Sequence, residues 1–289
     1  MSFKITLLPS GNTFYCEAKE SVLEAALSCG MNLGYHCNSG GCGECKVVVS
    51  SGTYQPHINA DYPLTEAQKS QGYVLLCAIT ASSDMEIQAV EAKSAADIPK
   101  QSVLAKVSKF NALNDDFYEL HLRTPRSSTL RFLAGQSVQL TNDSDVLQAP
   151  IASCPCNGMN LQFHIDRRKD HSLTRALLST QASPVNLQID GPFGDFTLDD
   201  ESDRASVFVA FGLGFAAIKS LIEHAIALEK EQSLLLFWIM PESRSHYQSN
   251  YCRAWEDAFD GFVYIPMTLD CKEGILKTFE EIVQRVLAR

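Results

Sequence analysis

The chain has 289 residues and a formal net charge of −10, with 45% hydrophobic and 20% charged residues. This is the composition of a globular protein, and the length predicts two or three domains. No large segment is basic, so nucleic acid is not expected as a partner. No run reaches the roughly 18 apolar residues of a membrane span, and no signal region opens the chain, so we expect a cytoplasmic protein.

The first 90 residues predict a small α+β unit. Strands are expected at 3–8 and 12–17 around the turn PSGN. A helix follows, with Ser21 and Glu24 as a capping box. A loop rich in glycine and cysteine comes next. The unit is completed by the strand KVVVSSG, a short helix with Thr65 as its N-cap, and the strands YVLLCAIT and MEIQAV.

Two further changes of pattern divide the rest of the chain. The polar, alanine-rich stretch 91–101 is typical of a linker. Short strands separated by turns then predict an antiparallel β-barrel, interrupted by one helix in HSLTRALLS. From about residue 204 strands alternate with helices, which predicts a parallel, doubly wound sheet. The predicted domains are an α+β domain (1–92), a β-barrel (102–200) and an α/β Rossmann-like domain (204–289).

Four of the ten cysteines have a diagnostic spacing. Cys37, Cys42 and Cys45 follow the pattern C-x4-C-x2-C, and Cys77 comes after 31 intervening residues. This is the plant-type pattern for a [2Fe–2S] cluster, which moves one electron at a time. The loop glycines permit positive φ and let backbone N–H groups point at the sulfurs. The four cysteines are therefore predicted to ligate two irons.

Two other metal sites have to be weighed against this one. A Cys-x2-Cys pair also suits zinc, but zinc sites more often show two such pairs. His36 adjoins Cys37 and suggests a Rieske centre, which would need two histidine ligands. We interpret His36 as a surface residue or a neighbour of the ligands. The other cysteines are interpreted as core or surface thiols without function: Cys16, Cys29, Cys154, Cys156, Cys252 and Cys271.

With these motifs, the chain resembles known electron-transfer proteins. Residues 1–90, containing YHCNSGGCGECKVVV and VLLCAI, resemble a plant-type ferredoxin (β-grasp) domain. The barrel and Rossmann-like domains that follow resemble the ferredoxin–NADP reductase superfamily. This fusion is the layout of bacterial oxygenase reductase components and of CDP-6-deoxyglucoseen reductases. The resemblance implies that electrons pass from NAD(P)H to FAD, to the cluster and to a partner oxygenase, hydroxylase or dehydrase.

The flavin motifs depart from that family. Before Ile-Ala-Ser the family carries Arg-x-Tyr-Ser, whose side chains contact the flavin; the Arg, Tyr and Ser positions here hold Leu147, Ala149 and Pro150. Ser153 of the Ile-Ala-Ser segment is kept. At the helix that binds the flavin phosphate, Thr174 is kept, but His171 replaces a glycine. Ser153 and Thr174 are the candidate FAD-binding residues.

The nucleotide motif is also altered. The family loop Gly-Gly-Thr-Gly corresponds to FGLG here, which keeps Gly212 and Gly214 but has Leu213 in place of threonine. The two glycines are candidate NAD(P)H contacts, or they only permit close packing of helix on strand. The family's final strand with a Cys-Gly-Pro-like motif is not found, and Cys271 is not its equivalent. We therefore expect a truncated Rossmann-like domain.

Two functions remain open from the sequence. One is an iron–sulfur electron carrier that serves a partner enzyme, with a reductase-like module impaired in hydride chemistry and with a separate reductase as a further partner. The other is an active NAD(P)H-dependent FAD/[2Fe–2S] reductase component. The lost flavin side chains and the altered glycine loop favour the first. The polar stretch 243–251 is interpreted as a solvated loop.

Overall fold

The computed structural model describes residues 2–287 except 60–62, 143–144, 170–171, 180–184, 201, 203, 230–232 and 270–273. His171 and Cys271 therefore lie outside the described residues. The described chain forms three successive units, each with its own sheet and hydrophobic core. This order confirms the predicted fold class.

The N-terminal unit is a mixed sheet with one main helix across it. Its elements are β1 (Ser2–Leu8), β2 (Thr13–Glu17), α1 (Val22–Ser28), β3 (Lys46–Ser51), β4 (Tyr54–Pro56), α2 (Glu66–Ser70), β5 (Tyr73–Leu75), β6 (Ile79–Ala81) and β7 (Met85–Gln88). The sheet order is β2-β1-β7-β3-β5, and β1 and β7 are parallel. Both predicted helix caps are present, Ser21 with Glu24 and Thr65 with Gln68.

One predicted strand of this unit is wrong. YVLLCAIT does not run as a single strand, because a 3-10 turn at Leu76–Ala78 separates β5 from β6. Leu76 donates its N–H to the carbonyl of Cys45 at 3.1 Å. The turn thereby directs Cys77 towards the cysteine loop, which an uninterrupted strand would not do.

The second unit is an antiparallel sheet that curls into a half-barrel around its own core. Its elements are β8 (Gln101–Ala112), β9 (Phe117–Arg123), β10 (Ser137–Asn142), β11 (Asp145–Pro150), β12 (Asn160–Asp166), α3 (Ser172–Ser179) and β13 (Asn186–Phe193). The strand order is β11-β10-β13-β8-β9-β12. The sequence did not predict β11, which pairs with β10 along its whole length from Asp145 to Pro150.

The third unit is a parallel sheet with helices on both faces. Its elements are β14 (Ser206–Phe211), α4 (Phe215–Ala227), β15 (Leu234–Pro241), α5 (Ser249–Ala258), β16 (Phe262–Leu269) and α6 (Gly274–Leu287). The strand order is β14-β15-β16. Helices α4 and α5 share one core with the sheet, and Ile282 of α6 packs on the opposite face. Among the described helices, none has the length and apolar character to cross a membrane.

Candidate functional site

The four spaced cysteines come together at one end of the N-terminal unit. Three of them lie on the loop between α1 and β3, where Gly40 and Gly43 have φ of +76° and +81°. L-residues rarely adopt this conformation, so the glycines allow the loop to reverse direction tightly. Cys42 is exposed to solvent, whereas the remaining three are buried: Cys37, Cys45 and Cys77.

The thiols are arranged as two pairs. The Sγ atoms of Cys45 and Cys77 are 3.3 Å apart. The N–H of Cys42 donates to Sγ of Cys37, also at 3.3 Å. In the described part of the chain, no three Cys, His, Asp or Glu side chains converge as ligands of a single metal ion. Two pairs of thiolates suit two irons better than one zinc ion.

Backbone donors around the sulfurs favour their anionic form. The N–H of Gly41 donates to Sγ of Cys37 at 3.3 Å, and the N–H of Glu44 donates to Sγ of Cys42 at 3.4 Å. Burial would raise the pKa of Cys37, but hydrogen bonds from Ser39 and Cys42 lower it to about 6. The hydrogen bond between Cys45 and Cys77 lowers the pKa of Cys45 and raises that of Cys77, so these two sulfurs share one proton. This donor set fits an anionic iron–sulfur cluster.

The cysteine loop begins where the ferredoxin-like unit meets the half-barrel. The carbonyl of His36 accepts hydrogen bonds from the N–H and the hydroxyl of Thr129, at 2.9 and 2.6 Å. Arg131 Nη2 donates to the carbonyl of Asn32 at 3.2 Å. A Cβ at Gly158 would collide with the hydroxyl of Tyr35. His36 is thus half-buried at a domain contact, and this contact holds the loop close to the second unit.

The segment that the resemblance assigns to the flavin ring offers few polar groups. Leu147 packs half-buried against the half-barrel core, and Ala149 is buried within that core. Pro150 ends β11 and has no N–H. Ser153 is held by the chain itself, because its Oγ accepts from the N–H of Gln162 at 3.2 Å and its carbonyl accepts from a serine hydroxyl of α4 at 2.7 Å.

A buried lysine, which the sequence did not single out, reaches the same segment. Lys219 of α4 is 2% exposed. Its Nζ donates to the carbonyl of Ala152 at 2.9 Å, to Oε1 of Gln162 at 3.1 Å and to Oε1 of Glu223 at 2.6 Å. In the sequence it appears only as half of an ordinary i,i+4 Lys–Glu pair. Here the lysine joins the half-barrel to the third unit.

Aromatic side chains occupy the neighbouring junction between the half-barrel and the parallel sheet. Phe215 stacks on Trp238 with ring centroids 3.8 Å apart, and Trp238 Nε1 donates to the carbonyl of Gly212 at 3.1 Å. His164 Nδ1 lies 3.0 Å from the hydroxyl of Tyr247. Burial, together with the charge on nearby Lys219, lowers the pKa of His164 to about 3. Tyr247 belongs to the stretch 243–251, so the interpretation of that stretch as a solvated loop was wrong for Tyr247, although Ser243, Ser245 and Asn250 are exposed as expected.

Gly212 and Gly214 are not needed for close packing of a helix on a strand. Gly212 has a φ of +54°, and a Cβ built at Gly212 or Gly214 would meet no atom within 4 Å. The suggestion that they permit close helix–strand packing is therefore wrong. The backbone of this loop is open to approach, although Leu213 packs against the neighbouring core and supplies no polar group.

Thr174, the other flavin candidate, keeps a feature of a ligand site. Its side chain is buried, and its Oγ1 has no hydrogen-bond partner among the described residues. A buried hydroxyl is normally paired, so a phosphate oxygen would fit here. The hydroxyl of Thr174 thus fits a phosphate oxygen, whereas Ala149 and Pro150 offer no polar side chain to an isoalloxazine ring.

The scattered cysteines divide into two kinds. Cys16 and Cys252 are buried free thiols and Cys29 is a half-buried one. Cys154 and Cys156 are instead joined by a disulfide, with their Cα atoms 5.3 Å apart. This bond was not predicted from the sequence.

Comparison with known proteins agrees with this architecture. A profile of the 2Fe-2S iron-sulfur cluster binding domain matches residues 5–82, which include all four spaced cysteines. Protein RfbI of Salmonella typhimurium is 30% identical over 275 residues, which cover 92% of this chain and 78% of RfbI. The CDP-6-deoxy-L-threo-D-glycero-4-hexulose-3-dehydrase reductase of Yersinia pestis is 28% identical over 267 residues, 92% of this chain and 80% of that protein.

A solved structure shows the same fold. The Amycolatopsis cytochrome P450 reductase GcoB superposes with a TM-score of 0.53 at 24% sequence identity, over 93% of this chain and 83% of GcoB. The chain is an electron-transfer component with a [2Fe–2S] domain. It belongs to the family of proteins in which an N-terminal [2Fe–2S] ferredoxin domain is fused to a ferredoxin reductase-like module.

Proposed function

We propose that this chain passes single electrons to a partner enzyme through one [2Fe–2S] cluster, and that its reductase-like module does not carry out hydride transfer from NAD(P)H to FAD. The observation that carries this proposal is the packing of β11. Where the family places flavin-contacting Arg, Tyr and Ser, Leu147 and Ala149 pack on the half-barrel core and Pro150 lacks an N–H.

In this proposal Cys37, Cys42, Cys45 and Cys77 are the iron ligands. The cluster, when bound, supplies one-electron transfer at low potential. The chain's own part is to hold two thiolate pairs in place and to offset their negative charge with N–H groups, such as that of Gly41 on Cys37. Because Cys42 is exposed, a partner protein can approach closely at that end of the site.

The partner is proposed by analogy with relatives. The Yersinia relative is named as the reductase of a dehydrase, and the family resemblance adds oxygenases and hydroxylases. We propose a partner enzyme of one of these kinds, with a separate reductase as the electron donor, in the cytoplasm. We further propose the domain limits 1–92, 102–200 and 204–289.

An active NAD(P)H-dependent FAD reductase is the second candidate. Two observations favour it: the unpaired buried hydroxyl of Thr174 and the open backbone at Gly212 and Gly214. Under this candidate Thr174 and Ser153 contact FAD, and the two glycines contact NAD(P)H. The chain would then supply its own electrons from a hydride donor.

Anaerobic reduction of the purified protein separates the two candidates. The cluster's visible absorbance is followed after addition of NADH or NADPH, and then of dithionite. The proposed carrier is bleached by dithionite only, and bleaching by the nicotinamide appears when a catalytic amount of a separate ferredoxin reductase is added. Rapid bleaching by NADH or NADPH alone would establish the reductase and reject the carrier.

A further inference from the structure

The disulfide between Cys154 and Cys156 is unexpected in the compartment proposed above. Their Cα separation of 5.3 Å lies within the usual range for protein disulfides. In a reducing compartment, disulfides are rare and those that form are usually transient, catalytic or redox-sensing. We propose that Cys154 and Cys156 form a reversible thiol–disulfide site, distinct from the cluster cysteines, which exchanges electrons with cellular thiols and dithiols.

The two sulfurs differ in their access to solvent. Cys154 is 8% exposed, whereas Cys156 is half-buried. Cys156 lines a cavity of about 220 Å³ between the ferredoxin-like unit and the half-barrel, together with Glu24, Asn38 and Met159. A thiolate arriving from solvent through this cavity therefore meets the sulfur of Cys156 first.

A hydrogen-bond donor is in place for a thiolate that leaves on Cys154. Sγ of Cys154 caps the 3-10 turn Pro155–Asn157 and accepts the N–H of Cys156 at 3.2 Å. A hydrogen bond to a thiolate stabilises the charged form. Thiol–disulfide exchange is faster when the departing thiolate is stabilised in this way.

The exchange can be written with all atoms and electrons assigned. An external thiolate attacks Sγ of Cys156 and forms a mixed disulfide, while the Cys154–Cys156 bond breaks and its electron pair leaves on Sγ of Cys154. The second thiolate of the same dithiol, or a second glutathione, then attacks the external sulfur of the mixed disulfide and releases Cys156. In total the protein disulfide gains two electrons and two protons, and the external thiols become a disulfide.

The site lies where the three units meet. The N–H of Cys154 donates to Oε2 of Glu223 at 3.0 Å, and Oε1 of Glu223 binds Lys219 and accepts the hydroxyl of Tyr251 at 2.9 Å. On the other side, Gly158 follows the turn and lies against the ferredoxin-like unit. The redox state of the pair is therefore placed to affect contacts among all three units.

The test uses the full chain with its cluster, under anaerobic conditions. The protein is equilibrated in mixtures of reduced and oxidised glutathione, free thiols are trapped with iodoacetamide, and the peptide containing Cys154 and Cys156 is examined by mass spectrometry. The pair should convert fully and reversibly between disulfide and dithiol while the iron content stays constant. Cys29→Ser is the matched control and should leave this conversion unchanged.

Two single substitutions test the roles of the sulfurs. Cys154→Ser leaves Cys156, which should form a mixed disulfide with oxidised glutathione about tenfold faster than Cys154 does in Cys156→Ser. Equal rates would overturn the greater access of Cys156 to glutathione, on which its assignment as the attacked sulfur rests. In the wild-type protein, a disulfide that is reduced only on unfolding, or a dithiol that never closes in oxidised glutathione, would overturn the reversible site itself.

Discussion

The sulfur of Cys45 lies 3.3 Å from that of Cys77, although 31 residues separate them in the chain. The contact is made possible by the 3-10 turn Leu76–Ala78, whose first N–H binds the carbonyl of Cys45. A ligand from a distant segment thus fixes the cysteine loop against the sheet. If both thiols bind iron, loss of either one removes a quarter of the ligand set.

Cys77→Ser should abolish the cluster, because a serine hydroxyl is a much poorer ligand for iron than a thiolate. The measurement is iron content and visible absorbance of the purified protein. Cys29→Ser is the control, since Cys29 is a half-buried free thiol outside the cysteine loop. Retention of colour and iron by Cys77→Ser would show that the proposed ligand set is wrong.

Gly43→Ala should weaken the cysteine loop. Gly43 has a φ of +81°, and an added Cβ would lie 3.0 Å from Cβ of Pro63. The strain should lower the free energy of unfolding by about 1–2 kcal/mol. The measurement is thermal unfolding followed by loss of cluster absorbance. Gly41→Ala is the matched control and should change little, because no atom lies within 4 Å of its Cβ and its φ is not positive. Equal losses of stability in the two variants would contradict the predicted strain at Gly43.

Lys219→Met should destabilise the junction between the half-barrel and the third unit. It leaves the carbonyl of Ala152 and the carboxylate of Glu223 without their cationic partner. The expected loss is about 2–3 kcal/mol in chemical denaturation. Lys69→Met removes a surface pair with Glu66 and should cost no more than about 0.5 kcal/mol. Similar losses in both variants would argue against a structural role for the buried lysine.

His164 should make stability depend on pH. Its folded pKa of about 3 is below the ordinary value of 6.5, so the unfolded chain binds more protons between these values. The stabilisation is present above pH 6.5 and is lost as pH falls towards 3; between pH 7 and pH 5 the loss is about 2 kcal/mol. The difference in unfolding free energy at the two pH values should shrink in His164→Gln but not in His57→Gln, whose ring is exposed. An unchanged difference in His164→Gln would count against a buried neutral histidine.

Local signals in the sequence predicted local structure well. The capping boxes at Ser21 and Thr65 mark helices α1 and α2 because the cap and its partner are only three residues apart. The cysteine spacing predicted the thiolate site for a similar reason, since three of the four ligands lie within nine residues. The turn at Cys77 was missed because its apolar sequence also suits a strand, and only the contact with Cys45 decides between them.

Contacts between units were the part that the sequence could not predict. From the sequence alone, Lys219 is an ordinary charged residue of an amphipathic helix. It is buried because its Nζ binds the carbonyl of Ala152 in another unit. From the sequence alone, Tyr247 belongs to a polar loop. Its hydroxyl instead contacts Nδ1 of His164 across the same junction. The disulfide of Cys154 and Cys156 depends on a turn around Pro155. The positions of Lys219 and Tyr247 thus result from tertiary packing, which overrides local composition, whereas the disulfide is a local feature that was not predicted from the sequence.

The flavin content of the purified protein decides whether the reductase-like module holds FAD. The chain is produced in cells supplied with iron and riboflavin, and after acid denaturation the released FAD is quantified against iron. We expect two irons per chain and FAD far below one equivalent, because Leu147 and Ala149 pack on the half-barrel core and Pro150 lacks an N–H. One equivalent of tightly bound FAD per chain would contradict it.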